Sequence, residues 1–257
     1  MRLSVITDEV SDDVTLALRM LESFDVGAVE IRVFGGRNVT AHPPEDWRRL
    51  AVDLRAGGFD CPVVDSPFLK DTRAPSRSTV DWSPLDRAID AACALGARTV
   101  RVFSGSRVFG GGSDHLVDVL GEAVRRAAVA GLGIAVEIEP VCEIATAAEA
   151  VALADRARAP TWGYVLDPGN ESYLTGRPAD VSAVAKLTPL ISHVHVKDVD
   201  TERDLVPVGA GLVGWADQLG TLRDCGYTGY LSMETPATRA SVTSLRAFAA
   251  DAGIDLS

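Results

Sequence analysis

Apolar residues fall along this chain in two alternating rhythms. Eight short runs, rich in apolar and β-branched residues and closed by turn or polar residues, read as strands: 3–7, 28–34, 61–68, 98–105, 134–140, 162–170, 191–198 and 230–236. Between them the apolar positions recur every three to four residues, the spacing of a helix with one buried face. Val14, Leu18 and Leu21 make the first such stripe, and Trp47, Leu50 and Leu54 the second.

The ends of these helical stretches carry their own signals. Pro43-Pro44 opens the second helix and Gly57-Gly58 closes it. Ser83-Pro84-Leu85-Asp86 reads as an N-cap serine, a proline at the first helical position and an acid in the first turn; Gly96 ends that helix. Gly110–Gly112 reads as a flexible loop, after which Ser113 opens a helix that runs to Gly131. Thr146 and Glu149 fit a capping box, and Asp180 is placed to cap the helix after the sixth strand. A helix from about Trp215 to Cys225 stops at Gly226, and a last helix takes the chain to its end.

Eight strand–helix pairs with short connections predict a parallel sheet, and at 257 residues they predict one closed (β/α)8 TIM barrel spanning 1–257. A doubly wound open sheet is the alternative. The Gly-x-Gly-x-x-Gly fingerprint of its dinucleotide-binding version does not follow the first strand.

Composition narrows the partners. The formal net charge is −11, which argues against the phosphates of nucleic acid and against an anionic membrane surface. The run MRLSVITDEV meets acids by residue 8, unlike the apolar core of a signal peptide, and no apolar run approaches the length of a membrane span. Cys61, Cys93, Cys142 and Cys225 are widely spaced and read as reduced thiols. The expectation is a cytoplasmic protein with a small-molecule partner, with a homo-oligomer left open.

The chemistry gathers at strand ends, where a (β/α)8 barrel carries its function. HVHVKD, residues 193–198, places two of the chain's four histidines on one strand face. Around it, strand five ends in Glu139, strand six in Asp167, strand seven in His195 and strand eight in Glu234. Adjacent barrel strands lie about 5 Å apart, so four successive strand ends can meet around one point. Three carboxylates converging in a low-dielectric cavity repel one another unless a cation joins them. Three oxygen ligands and one imidazole suit one divalent metal ion, Mn²⁺, Mg²⁺ or Co²⁺, with Zn²⁺ as a further option. Glu137 shares the inward parity of Glu139 one layer deeper, where it reads as a supporting group or as the buried partner of Arg101. Glu30 and Arg32 read as an ion pair at the barrel floor. Lys197 and Asp198 lie just beyond His195, placed to position hydroxyls, and Arg203 is the cation of the following loop. Gly209-Ala210-Gly211 reads as a plain turn.

VEIRVF, RVFSG, VEIEP, LDPGN, HVHVKD, VPVGAG and GYTGYLSMETP together cover nearly the whole chain. With them the sequence resembles the xylose isomerase-like sugar isomerase and epimerase family of metal-dependent barrels. The resemblance implies a metal held by Glu139, Asp167, His195 and Glu234, with Glu139 and Glu234 doubling as acid and base on opposite faces of a sugar or polyol. It implies an isomerase or epimerase working by proton abstraction next to a carbonyl through a metal-stabilised enediolate. A dehydratase of inosose or dehydroshikimate type is the alternative, and a non-catalytic sugar-binding barrel or subunit a third. Substrate contacts fall to Asn170, His193, Lys197, Asp198 and Arg203. Asn170 departs from the histidine that many members carry there and cannot protonate at neutral pH. The trinuclear zinc cluster of the related endonuclease IV needs histidines from early strands, and His42 and His115 are not at strand ends.

Overall fold

A computed structural model describes residues 1–73, 76–107 and 115–256. Eight parallel strands run β1 (Arg2–Ile6), β2 (Val29–Glu30), β3 (Val63–Asp65), β4 (Thr99–Val102), β5 (Gly133–Glu137), β6 (Gly163–Leu166), β7 (Ile191–Val196) and β8 (Tyr230–Met233). Their order in the sheet is β2-β1-β8-β7-β6-β5-β4-β3. Parallel bridges Ala28↔Asp60 and Ile31↔Val64 join the two edges, so the sheet comes nearly full circle as a single (β/α)8 TIM barrel.

Alternation decides what each face of a strand meets. Val5, Val64, Val100, Val136, Val194 and Leu231 point outward, fully buried under the helices. The inward set is polar: Glu30, Asp65, Arg101, Glu137, His193 and His195 are all buried. Register confirms the shared face, since Asp65 pairs with Arg101, and Ser4 with Ser232 and Ser232 with His195. Barrel interiors are usually filled by branched apolar side chains. Here charged groups take that place and must satisfy one another.

The outer layer is α1 (Val14–Glu22), α2 (Pro44–Gly57), α3 (Ser83–Leu95), α4 (Leu116–Ala128), α5 (Ala147–Ala157), α6 (Pro168–Thr175), α7 (Val181–Leu187), α8 (Trp215–Asp224) and α9 (Thr238–Asp251). Among the described residues no helix is long and apolar enough to cross a membrane. Asp180 caps α7 through the Ser182 and Ala183 amides as expected. Ser83 is not the cap of α3 but its first residue; Asp81 accepts from its amide and hydroxyl instead. Thr146 accepts from the Glu149 amide, while Glu149 reaches past Thr146 to the Ala145 amide. The glycine loop at 110–112 and the helix start at Ser113 lie outside the described residues.

The largest departure from expectation is at strand six, which ends at Leu166 rather than at residue 170. Asp167 N-caps α6, accepting from the Asn170 amide at 2.9 Å, with Pro168 pre-set for the first turn. Eight helical residues therefore sit between β6 and α7 and form one wall of the barrel mouth.

Candidate metal centre and active site

At the C-terminal ends of β5 to β8 the inward side chains converge. Glu137, Asp167, His195 and Glu234 each offer a ligand atom within 4.8 Å of the others. From His195 Nδ1 the distances are 3.3 Å to Glu234 Oε2, 3.6 Å to Glu137 Oε1 and 3.9 Å to Asp167 Oδ2. Two ligands each about 2.1 Å from one ion are separated by roughly 3.0 to 3.5 Å in octahedral or tetrahedral geometry. The cluster therefore has the dimensions of a metal site with little rearrangement. Buried His195 Nδ1 has no hydrogen-bond partner and faces three carboxylates, whereas Asp167 Oδ2 is paired with the Lys197 ammonium at 2.7 Å. An unpartnered buried nitrogen is costly unless something binds it. The donor set suits a divalent cation and contains no thiolate.

His195 is aimed by its other nitrogen. Glu30 receives Nε2 of His195 at 3.0 Å and Nε2 of His193 at 2.8 Å, one histidine on each oxygen. A carboxylate behind a ligating imidazole fixes its orientation and tautomer. Burial works against any charge here, yet Glu30 and Glu234 hold the His195 imidazole well above its usual range. The two histidines in turn hold Glu30 well below the carboxylate range against the effect of burial. Glu30, His193 and His195 also form a compact trio, but the two Nε2 atoms already bond to the Glu30 oxygens. The predicted Glu30–Arg32 pair does not form, because the two side chains sit at different depths of the barrel.

Glu137, and not Glu139, supplies the fifth-strand carboxylate of the cluster. The sequence reading placed the strand end at Pro140; the strand stops at Glu137, at the depth of His195. Arg101 Nε lies 2.9 Å from Glu137 Oε2, as the arginine-partner reading expected, and its Nη2 lies 3.0 Å from Asp65. Arg101 keeps the Glu137 carboxyl low in spite of burial. Asp65, buried beside Glu30, is pushed well above its usual range, first by burial. Burial likewise pushes Asp167 up to about 7, against the pull of Lys197.

Glu139 lies higher, in the turn after β5, where its backbone amide donates to Ile144. Its carboxyl is raised by burial and then by Glu137, with Lys70 Nζ 3.5 Å away. Glu139 lines a cavity of about 360 Å³ together with Glu9, Asn170, Tyr173, Lys197, Arg203 and Glu234. Three of the expected substrate contacts, Asn170, Lys197 and Arg203, are thus on its wall. Asn170 also donates to the Ile138 carbonyl at 3.0 Å.

The other two expected contacts face elsewhere. His193 is buried on Glu30 below the cluster. Asp198 is fully buried and accepts from the backbone amides of Val199, Gly209, Gly211 and Val213, so it organises the loop after β7.

Lys197 Nζ stands 2.7 Å from both Asp167 Oδ2 and Glu234 Oε2, off hydrogen-bond angle at the first. Burial opposes its charge, but those two carboxylates hold the ammonium above its usual range. Lys197, then His195, keep Glu234 well below the carboxylate range against burial. Gly169 is what lets Lys197 pass: a Cβ there would lie 2.4 Å from the lysine Cγ.

One cluster escaped the sequence reading. Arg32 donates through Nη1 to Glu234 Oε1 at 2.6 Å, through Nη2 to Glu9 Oε1 at 2.6 Å, and through Nη2 and Nε to Asp8 Oδ2 at 2.7 and 3.0 Å. The available signal was Thr7-Asp8-Glu9 directly after β1, facing an arginine of inward parity after β2.

The family model of the xylose isomerase-like TIM barrel matches residues 18–255. The chain is similar to a solved D-tagatose 3-epimerase-like protein, at 21% identity, 98% of each chain covered and a TM-score of 0.80. It is similar to the IOLI protein with a binding zinc atom, at 18% identity, 98% of each chain and a TM-score of 0.76. It is also similar to the probable 3-DHS dehydratase AsbF, involved in petrobactin synthesis in Bacillus anthracis, at 15% identity, 95% of this chain and 97% of that one, with a TM-score of 0.75. No curated protein sequence matches the chain. The chain belongs to the xylose isomerase-like TIM barrel family.

Proposed function

We propose that this protein is a divalent-metal-dependent isomerase or epimerase of a sugar or polyol, working by proton transfer at a carbon next to a carbonyl. The observation that carries the proposal is the cluster of three carboxylates and one imidazole, with the buried His195 Nδ1 left without a hydrogen-bond partner, beneath a polar cavity. Glu137, Asp167, His195 and Glu234 hold the ion, Glu137 taking the place that the sequence reading gave to Glu139. A divalent ion bound there supplies Lewis acidity toward a carbonyl and its neighbouring hydroxyl.

The rest falls to the chain. Glu139, raised by burial and free of the ligand cluster, exchanges a proton with substrate carbon. Lys197, Asn170 and Arg203 bind substrate oxygens from one side of the cavity. Glu30 keeps His195 turned toward the carboxylates. Burial shifts the Glu139 carboxyl toward its acid form, which can protonate a departing hydroxyl, so dehydration is the second reading, in line with the dehydratase among the similar structures.

The test starts with metal. Purified apo protein titrated with Mn²⁺ is expected to take up one ion per chain, and His195→Ala and Asp167→Asn are expected to lose it. Incubation of ketoses in D₂O then reads out the chemistry by NMR. Deuterium gained at carbon supports isomerisation or epimerisation, and a new enone absorbance supports dehydration. A wild-type protein that binds no divalent ion sinks the proposal.

A further inference from the structure

We propose that Arg32 is a positioning residue for the metal centre: it takes one oxygen of Glu234 and so limits that carboxylate to a single ligand oxygen. This rests on the divalent-metal reading above and assigns a task to a residue outside the ligand cluster.

A carboxylate can meet an ion through one oxygen or through both. Which of the two happens decides how much of the ion is left for substrate. An ion of octahedral preference has about six positions, and four residues giving one atom each fill four of them. The remaining pair is what a carbonyl and its neighbouring hydroxyl need. Were Glu234 to close on the ion with both oxygens, half of that room would be gone.

The two oxygens of Glu234 have different neighbours. Oε2 points into the cluster, 3.3 Å from His195 Nδ1, and also accepts from Lys197 Nζ at 2.7 Å. Oε1 accepts from Arg32 Nη1 at 2.6 Å. The hold on Oε1 is firm because the guanidinium is itself tied down. Its Nε and Nη2 donate to Asp8 Oδ2 at 3.0 and 2.7 Å, and Nη2 also donates to Glu9 Oε1 at 2.6 Å. Asp8 is fixed in turn by the Val33 amide, which donates to its Oδ1 at 3.2 Å.

The topology explains how these groups meet. Arg32 follows β2, Asp8 and Glu9 follow β1, and Glu234 follows β8, and these three strands are neighbours in the sheet. A planar guanidinium offers donors in a fixed fork, whereas an ammonium is a compact point charge. The cavity wall includes Glu9 and Glu234 but not Arg32, so the arginine acts on substrate through Glu234. Without it, Asp8 and Glu9 would face Glu234 as uncompensated like charges, and the freed Oε1 would turn to the nearest cation, the ion.

The experiment counts water on the ion. Mn²⁺-loaded protein is placed in ¹⁷O-enriched water, where each water bound directly to Mn²⁺ broadens its EPR lines. The wild type is expected to carry about two such waters, and Arg32→Met about one, since Oε1 takes the place of the other. Mn²⁺ affinity of the variant is expected to stay within about threefold of wild type or to tighten, because Glu234 gains a ligand bond as it loses its arginine. Proton exchange of ketoses in D₂O should fall by about tenfold or more. A merely structural arginine would leave the water count alone. If Arg32→Met shows no cooperative thermal unfolding, Arg32→Lys takes its place, with the same expected loss of one water. A count of about two in the folded variant overturns the proposal. So does a wild-type count of about one, with the metal reading left standing. Mn²⁺ binding weakened by more than about tenfold assigns Arg32 to building the site and overturns it too. A wild type that takes up no Mn²⁺ removes both this proposal and the metal reading.

Discussion

Among single residues, the most informative is one that has no role in holding an ion. Asp65 is fully buried next to Glu30, with Arg101 3.0 Å from its Oδ2. Burial holds its carboxyl above the usual range. For an acid whose folded pKa is raised, the stabilising contribution is complete below the unfolded value near 3.8 and is lost as pH rises toward the folded value. Asparagine is permanently neutral and escapes this loss. Asp65→Asn is therefore expected to gain on wild type as pH rises from 5 to 8. Urea unfolding at the two pH values measures the difference, and a difference independent of pH would show Asp65 ionised. The same scale shows where residue reading from sequence succeeds. Asp167, His195 and Glu234 are named by their place at strand ends. Glu137 and Glu139 share a parity, so only depth separates them, and depth depends on where β5 stops.

Elements explain the remaining discrepancies. Apolar alternation locates all eight strands, but seven of the eight observed strands are shorter than their sequence signals, because polar ligand and cap residues are also strand-like neighbours. Asp167 illustrates this: its backbone leaves β6 to start α6, and one oxygen caps that helix while the other faces the cluster. No helical periodicity announces α6, whose eight residues include Pro168, Gly169 and Asn170. The loop after β7 was equally opaque, since its organiser is a single buried side chain. Asp198 accepts four backbone amides from across the segment 199–213. Asp198→Ala leaves those donors buried without an acceptor and is expected to cost roughly 3 kcal/mol, read by chemical denaturation. Asp198→Asn, which keeps one acceptor oxygen, is expected to fall between. A loss below about 0.5 kcal/mol in the alanine variant would show the loop held by other means.

For the molecule as a whole, the barrel interior is a chain of buried charges, and the proposed cation is expected to add to its stability. Addition of Mn²⁺ at 100 times its dissociation constant is expected to stabilise the fold by about 2.7 kcal/mol, seen as a rise in the midpoint of thermal unfolding. A chelator should reverse it, and His195→Ala should show no rise at all. Whole-barrel architecture was the most legible property of the sequence, since eight repeats of the strand–helix rhythm leave few alternatives. Contacts between distant segments were the least legible. Arg32 meets Glu234 across 202 positions of sequence, a relation that no local pattern encodes. That contact also divides the labour along the chain. The four residues of the cluster at the barrel mouth lie between residues 137 and 234, in the second half, whereas Asp8, Glu9 and Arg32 come from the first. The arginine is the joint between the half that supplies this cluster and the half that supplies Asp8 and Glu9.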